Sequence, residues 1–539
     1  MVYSQDPQNQ VDAVVLGAGF SGLYMLYRLR EAGFSTRVFE AADGVGGVWY
    51  WNRYPGARCD SESVYYNYTF SEELFKEWSW SSRYPEQPEI LRYLNYVADK
   101  FELKPDITFN TRVTSAVYDE AANRWQVKTD TGETVSAKYF ITGVGCISSA
   151  NVPNIPGLND FEGQAYHTGH WPHEKVDFTG KRVGVIGTGS SGIQSIPVIA
   201  KEAAHLTVFQ RTPQYSVPAQ NHTYTKEFVE EVKNKYSEIR RQMKETVAGL
   251  RFEFGEQSVL DDPPEVRRQK LQEGWEKGGW EILFTYNDLL ANEEGNELVA
   301  EFIREKIQEI VDDPETAKKL TPDHFYGTKR AIVDTDYFET YNRDNVRLVD
   351  VKASPIEAIT PKGIRTTDNE YGLDALVFAT GFDGMTGSLF KIDIRGKDGV
   401  SLKEKWENGA KTRTYLGLTT AGFPNMFMLT GPESPSVLGN MPATIEQHVE
   451  WVSDCINHLR DNQVDVMEAE SQAEEEWSAH CKELADATLY TKTDSWYTGA
   501  NISGKARGFP IYVGGYGAYR EICDDVAVNG YKGFSFKQV

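Results

Sequence analysis

Cysteine is scarce in this chain of 539 residues: five positions are scattered along it, and none forms a Cys-x-x-Cys pair. An odd, dispersed set favours neither a disulfide framework nor a zinc site nor a dithiol redox centre. This usage is typical of a reducing compartment and predicts a cytoplasmic protein. His170 and His173 lie close in sequence, but no cysteine or carboxylate accompanies them at ligand spacing, so we predict no metal site.

The sequence also lacks a long apolar run and an excess of positive charge. No segment approaches the roughly 18–20 apolar residues that cross a bilayer, and residues 1–10 have no apolar signal core. The 79 acidic side chains outnumber the 56 basic ones, and the formal net charge is -23. A field of this sign repels phosphate backbones and anionic lipids, so we predict neither nucleic-acid nor membrane binding. The oligomeric state stays open, and a monomer is compatible with the composition.

What the sequence does contain is a strand–turn–helix pattern near its start. The apolar segment 11–16 leads into a turn with Gly17, Gly19 and Gly22, then into helical spacing and a second apolar segment that ends at Glu40. In such a turn the first glycine permits a tight bend, the second lets backbone approach a pyrophosphate, and the third lets helix and strand pack closely. A motif of this kind can be a plain turn, but its position between strand and helix predicts a dinucleotide site.

The same pattern returns once. Residues 181–186 lead into a second turn, and 193–203 and 206–210 continue as helix and strand. This second turn contains Gly187, Thr188, Gly189, Ser190 and Gly192. Apolar segments that end in glycine at 138–145 and 373–381 add a further strand to each module. We therefore predict an α/β fold with two Rossmann-like dinucleotide-binding domains.

The two modules differ in the residue that follows their second strand. Glu40 in the first module can accept hydrogen bonds from ribose hydroxyls and repels a 2′-phosphate, which suits FAD or NAD. Arg211, followed by Thr212, stands at the matching place in the second module, and a guanidinium pairs with a 2′-phosphate. Two nicotinamide nucleotides without an acceptor would achieve little chemistry, so we assign FAD to the first module and NADPH to the second. Arg211 as a solvent-facing loop charge is the alternative.

Domain boundaries follow from this duplication, and residues 224–330 read as a helical insertion because 228–243 and 298–311 are charged with helical spacing. The predicted segments are the first part of the FAD domain (1–150), a linker with the first part of the NADP domain (151–223), the insertion (224–330), the second part of the NADP domain (331–385) and the second part of the FAD domain (386–539). Residues 485–510 form either a mobile loop or a plain surface loop.

Two longer stretches resemble the fingerprints of the type I Baeyer–Villiger monooxygenases. They are Gly46-Gly-Val-Trp-Tyr-Trp-Asn-Arg-Tyr-Pro-Gly-Ala-Arg-Cys-Asp60 and Phe161-Glu-Gly-Gln-Ala-Tyr-His-Thr-Gly-His-Trp-Pro172. The resemblance implies a flavoenzyme that uses NADPH and dioxygen to convert a ketone into an ester or lactone through an FAD C4a-peroxide. The alternatives are an N- or S-oxygenating flavin monooxygenase and a non-catalytic, nucleotide-sensing flavoprotein.

The resemblance also implies a catalytic pair. The family places an arginine after Gly-Thr-Lys, which here is Arg330, and a partner carboxylate at the end of the first fingerprint, which is Asp60. An arginine stays protonated and can stabilise an oxyanion, and a carboxylate offsets the cost of burying it. Lys329 would grip the 2′-phosphate together with Arg211 and Thr212. The alternative is that Lys329 and Arg330 form a basic surface pair.

Further positions follow from the same resemblance. Contacts to FAD are expected from Gly47, Trp49, Asp60, Tyr66 and Asp383, although a tight turn would also explain the segment before Asp383. Trp496 would fold over NADPH or else pack at the surface. His167 and Trp171 would act in domain movement, with His167 as a general base the less favoured interpretation. The substrate-side loop would line the pocket through Ser436, Val437, Leu438 and Met441.

Overall fold

The structure is a computed structural model that describes residues 9–538. Its strands are β1 Gln10–Leu16, β2 Thr36–Phe39, β3 Ile107–Thr108, β4 Val113–Asp119, β5 Arg124–Thr129, β6 Thr134–Thr142, β7 Gln164–His167, β8 Arg182–Ile186, β9 His205–Gln210, β10 Ser216–Pro218, β11 Ile332–Asp334, β12 Val346–Asp350, β13 Ile356–Thr360, β14 Gly363–Thr366, β15 Glu370–Gly372, β16 Ala375–Phe378, β17 Asp393–Arg395, β18 Met426–Met428, β19 Val464–Ala469 and β20 Phe534–Gln538.

The α-helices connect and cover these strands. They are α1 Phe20–Glu31, α2 Val48–Trp51, α3 Glu72–Glu77, α4 Gln87–Lys100, α5 Ser190–Glu202, α6 Lys226–Asn234, α7 Tyr236–Glu245, α8 Pro264–Lys277, α9 Glu281–Phe284, α10 Glu293–Ile310, α11 Pro314–Leu320, α12 Gly387–Phe390, α13 Leu402–Lys405, α14 Met441–Asp461, α15 Ser471–Asp486 and α16 Tyr516–Val528.

The first sheet has the strand order β17-β4-β5-β6-β1-β2-β3, with β18 beside β6. Strand β1 runs parallel to both β2 and β6, so that Leu16 lies opposite Phe39 on one side and Thr142 on the other. Ala13, Val14 and Val15 are fully buried, as expected for a central parallel strand that is covered on both faces. The predicted βαβ unit is therefore present as β1, α1 and β2.

The second sheet has the order β12-β9-β8-β16-β7, and all of its pairs are parallel. The predicted second unit is present as β8, α5 and β9, and the predicted returning strand is β16. Strand β7 lies within the segment predicted as a linker and pairs with β16. Its four residues stand among glycine, proline and asparagine, so no period was visible in the sequence.

Helices α6 to α11 lie between β10 and β11, two short strands that pair with each other. The helical spacing at 228–243 is present as α6 and α7, separated at Lys235, and that at 298–311 belongs to α10. After β16 the chain returns to the first sheet, where it adds β17 and β18. Helix α14 packs against α1, and their apolar side chains share one core.

Two further observations concern the whole described chain. Within residues 9–538, no helix is both long enough and apolar enough to cross a bilayer. All five cysteines lie in this range, and each is buried with a free thiol.

Candidate active site

Both glycine turns open into one cavity between the two sheets. The carboxyl ends of β1 and β8 face it, and its volume is about 1590 Å³. Pockets for single drug-sized ligands measure about 300–1,000 Å³, so this cavity has room for more than one large ligand. Its walls come from the first and second sheets, the insertion and the start of α14.

The first glycine turn leaves no space for side chains. A Cβ atom on Gly22 would lie 1.7 Å from the carbonyl oxygen of Gly17, and one on Gly17, where φ is +91°, would lie 2.6 Å from the carbonyl oxygen of Gly143. Gly19 precedes the first residue of α1, so the helix N-terminus and its free N–H groups face the cavity. The turn is shaped to receive an anion against bare backbone.

Glu40 lies at the end of β2 and holds this turn in place. Its carboxylate accepts the backbone N–H of Ala18 at 2.7 Å and that of Ala42 at 2.8 Å. Burial of the side chain raises the pKa of Glu40, and these two hydrogen bonds act in the opposite direction. Glu40 lines the cavity, and a carboxylate has lone pairs beyond these two bonds to which a ribose hydroxyl could donate.

The second glycine turn repeats the geometry. A Cβ atom on Gly192 would lie 2.3 Å from the carbonyl oxygen of Gly187, whereas one on Gly189 would meet nothing within 4 Å. The hydroxyl of Thr188 donates to the carbonyl of Thr212 at 3.1 Å, which ties the turn to the end of β9. Ser190 begins α5 and lines the cavity.

Arg211 and Lys329 come together at this end of the cavity. Arg211 is exposed, and within residues 9–538 neither side chain forms a hydrogen bond or an ion pair. Burial, followed by the positive charge of Arg211, lowers the pKa of Lys329 to about 8. Burial and the charge of Lys329 likewise lower the pKa of His324 to about 3. Two cations without a carboxylate contact form a site suited to an anion.

Arg330 and Asp60, far apart in sequence, form an ion pair on the cavity wall. Arg330 donates from Nε to Asp60 Oδ2 and from Nη2 to Asp60 Oδ1, both at 2.8 Å, and from Nη1 to the carbonyl of Val437. Burial disfavours the charged guanidinium, but Asp60 outweighs this and raises the pKa of Arg330. The predicted pair is therefore in contact, and its cation stays protonated.

Gly47, Trp49 and Tyr66, which were predicted to contact FAD, line the cavity next to this pair. Trp49 donates from its indole N–H to the hydroxyl of Tyr66 at 3.0 Å. Gly47 has φ of +56°, and a Cβ atom there would lie 3.0 Å from the Cα of Gly19. The fingerprint loop thus packs directly on the first glycine turn and borders the cavity beside it.

Asp383 is placed differently from the expectation. It is not among the cavity-lining residues, and its carboxylate pairs with Nζ of Lys505 at 2.5 Å. Lys505 also donates to the carbonyl of Gly384 at 3.0 Å, and Asn501 donates to that of Phe382 at 2.7 Å. The segment that follows β16 is therefore covered by the 485–510 loop, a contact that no local sequence pattern indicates.

The substrate-side loop is only partly as predicted. Val437 and Met441 line the cavity, but Ser436 and Leu438 do not. Ser436 is fully buried, with its hydroxyl 3.8 Å from the sulfur of Met385. Residues 436–438 form a single 3₁₀ turn, which points successive side chains in different directions.

His167, Trp171 and Trp496 occupy positions of different kinds. His167 Nδ1 accepts the N–H of Gly169 at 2.9 Å, its Nε2 lies 3.2 Å from the carbonyl of Asn151, and burial lowers its pKa to about 4. Trp171 is buried away from the cavity, whereas Trp496 lines it and packs beside Gly384. A neutral histidine whose two ring nitrogens both form hydrogen bonds fits a structural role better than that of a general base.

Several polar residues that line the cavity were not predicted from the sequence. They are Arg58, Arg112, Ser148, Asn151, Gln194, Thr380 and Lys391. Gln194 on α5 accepts the hydroxyl of Tyr54 at 2.8 Å and donates to the carbonyl of Arg58 at 3.0 Å. It therefore joins helix α5 to the first fingerprint. Arg58 stood inside a recognised motif, but the others carry no local signal.

Comparisons with known proteins identify relatives along the whole chain. A family model described as flavin-binding monooxygenase-like matches residues 10–246. An acetone monooxygenase (methyl acetate-forming) of Gordonia sp. (strain TY-5) is 45% identical over 97% of this chain and 99% of its own. A phenazine N-monooxygenase of Lysobacter antibioticus is 44% identical over 97% of this chain and 96% of its own.

A solved structure agrees over the same extent. An oxidised steroid monooxygenase bound to NADP superimposes with a TM-score of 0.94 at 50% identity, and the match covers 98% of this chain and 100% of the other. The conversion named for the acetone enzyme places an oxygen atom between a carbonyl carbon and its neighbour.

Proposed function

Because the chain belongs to the Baeyer–Villiger monooxygenase family, we propose that it uses FAD and NADPH to insert one atom of dioxygen beside a ketone carbonyl. The product is an ester or a lactone. The observation that carries the proposal is the partly buried Arg330–Asp60 pair, which faces the cavity shared by both glycine turns. A fixed cation at this place would stabilise the negative charge that develops on oxygen during the reaction.

The residues present fit the two nucleotides. The first turn with Glu40 offers bare backbone N–H groups to a diphosphate and a carboxylate to a ribose, as FAD requires. Gly47, Trp49 and Tyr66 border the adjoining cleft, where a flat ring system would lie. The bound flavin, once reduced by NADPH, supplies the activation of dioxygen.

The second site fits NADPH through charge. Arg211 and Lys329 would bind the 2′-phosphate, Thr212 would contact it from the next position, and the turn at 187–192 would hold the diphosphate. The two cations lack protein partners within residues 9–538, so a phosphate would relieve their mutual repulsion. Trp496 borders the same cavity and would cover the bound nucleotide.

Arg330 would act on the reacting atoms. Its guanidinium has five N–H donors, and three of them are used by Asp60 and Val437, which leaves two for ligands. These would stabilise the negative charge that develops on oxygen while the carbonyl carbon is attacked. Asp60 would orient the guanidinium and offset the cost of its burial.

Arg330→Ala tests this role. We expect NADPH-driven reduction of the flavin to continue, while ester formation falls by about 100-fold or more, the usual effect of removing a group that stabilises an oxyanion. The measurement follows NADPH oxidation and ester product together over a panel of linear, cyclic and aryl ketones. Arg365→Ala, at a half-exposed surface pair, is the control. Full ester turnover by the Arg330 variant would contradict the assignment.

N-oxygenation is the second candidate, because the phenazine enzyme is as similar to this chain as the ketone-oxidising relatives are. The panel therefore includes aromatic N-heterocycles, with N-oxide as the product measured. N-oxide without ester from any ketone would favour this candidate over ketone oxidation.

A further inference from the structure

The helical insertion places one aromatic ring against the proposed catalytic cation. Trp280 lies between α8 and α9 and is 5% exposed. The Cζ atom of Arg330 lies 4.8 Å from the centre of its ring, and its indole N–H donates to the carbonyl of Ala331 at 3.2 Å. Trp280 itself does not line the cavity, so it contacts the guanidinium on the side away from the cavity.

This contact complements the hydrogen bonds of Arg330. Asp60 and Val437 accept bonds at the edges of the guanidinium and set its position there. The bonds leave its two faces uncovered, and a guanidinium is weakly hydrated and stacks well on aromatic rings. An indole on one face restrains tilting and directs the other face and the free N–H groups toward the cavity.

An ion-pair network, buried at Glu62 and Arg83 but exposed at Arg251, connects the segment of Trp280 to the segment of Asp60. Arg251 bonds to Glu62 at 2.9 Å and also to Glu281, while Arg83 bonds to Glu62 at 2.8 Å. Glu62 lies two residues after Asp60, and Glu281 directly follows Trp280. Arg251 therefore joins the segment that carries the partner acid to the segment that carries the indole.

We propose that Trp280 is a positioning residue for Arg330. The network of Glu62, Arg83, Arg251 and Glu281 fixes the distance between Trp280 and Asp60. The helical insertion thereby completes the catalytic arginine site. This inference rests on the proposed function, since positioning of Arg330 matters for turnover only if Arg330 takes part in the reaction.

The test compares Trp280→Leu, which removes the aromatic face, with Trp280→Phe, which keeps one. Trp275→Leu is the matched control, because Trp275 belongs to the same insertion but contacts Phe302 and not Arg330. We expect Trp280→Leu to lower ester formed per NADPH oxidised by about tenfold, the effect of losing one buried cation–π contact. FAD content and the rate of flavin reduction should stay within about twofold of the parent, and Trp280→Phe should recover most of the ester yield.

A second readout does not depend on turnover. In the holoprotein, 2,3-butanedione labels accessible arginines, and peptide mass spectrometry reports the extent at Arg330. Labelling should be several-fold faster in Trp280→Leu than in the parent or the Trp275 variant. If Trp280→Leu does not fold, Glu281→Gln weakens the ion pair with Arg251 at a partly exposed position. It should shift both readouts in the same direction.

Unchanged ester yield and unchanged labelling in the folded variants would overturn the inference, as would an equal loss in Trp275→Leu. If the parent protein makes no ester from any ketone, the proposed function fails. Faster labelling of Arg330 in the variants would still show that Trp280 holds the guanidinium.

Discussion

The two glycine turns share the same backbone geometry, but the residues that follow their second strands carry opposite charges. In both, a parallel strand leads through one glycine with positive φ into a helix whose start faces the cavity. The first ends at Glu40, which is buried and bonded to the turn itself. The second ends at Arg211, which is exposed and without a hydrogen-bond partner in residues 9–538.

At the first turn, hydrogen bonds within the protein hold the charged residue in place. At the second turn, a bound ligand must do so. Glu40 is held before any nucleotide arrives, so the first turn is preorganised. Arg211 and Lys329 repel each other until a phosphate enters, so the second site gains its stability on binding. We expect the first nucleotide to be retained and the second to exchange, as a resident cofactor and a consumed reductant must.

The largest effect is expected from Glu40→Ala. Two buried N–H groups, of Ala18 and Ala42, would lose their acceptors, at a cost of about 1–3 kcal/mol each. The free energy of unfolding should fall accordingly, and FAD should be lost during purification. Denaturant titration and the flavin absorbance measure both, with the exposed Glu31→Ala as control. A stable variant with a full complement of FAD would remove the contrast between the two turns.

Arg211→Ala should leave stability unchanged and act on the nucleotide alone. Loss of a charge-assisted contact to phosphate costs about 1.5–3 kcal/mol, so the KM for NADPH should rise by about 10- to 100-fold. The KM for NADH should change by less than about threefold, because NADH carries no 2′-phosphate. The exposed Arg343→Ala is the control. Equal changes for both nucleotides would exclude Arg211 from the phosphate site.

The smallest effect concerns pH. Lys329 in the nucleotide-free protein has a pKa of about 8, and a bound phosphate would raise it. Lys329 is charged at pH 7 with or without NADPH, but at pH 9 binding must first take up a proton. Affinity for NADPH should therefore fall by about tenfold as the pH rises from 7 to 9.

Two comparisons isolate that titration. Binding of NADH should not show this fall, because it lacks the phosphate that the lysine would contact. Lys329→Arg should abolish it, since arginine stays protonated throughout this range. A parent protein whose NADPH affinity is flat across pH 8 would contradict either the lowered pKa of Lys329 or its contact with the phosphate.

Much of the fold follows from short segments. Each βαβ unit spans about thirty residues, and its glycines are required by contacts within that span, such as the approach of Gly22 to Gly17. The choice between Glu40 and Arg211 is likewise local, because the residue at the end of a strand meets the nucleotide bound at the preceding turn. Strand β7 was missed, since four edge residues carry too little periodicity, and β3 to β5, β10 to β15 and β17 to β20 were not predicted either.

The candidate site depended on contacts that no short segment contains. Arg330 and Asp60 were paired only through a family resemblance, and the structure adds Val437 and Trp280 to them. Asp383 was expected at the flavin, but its carboxylate pairs with Lys505.

The sequence by itself thus determined the two nucleotide modules and the charge that each presents, because turns and strand ends are set by neighbouring residues. Only the tertiary structure decided which side chains surround Arg330, which positions of the 436–441 loop face the cavity, and how the insertion contributes. Those outcomes depend on packing between segments hundreds of residues apart, where the orientation of one ring or one turn is fixed by whatever element lies against it.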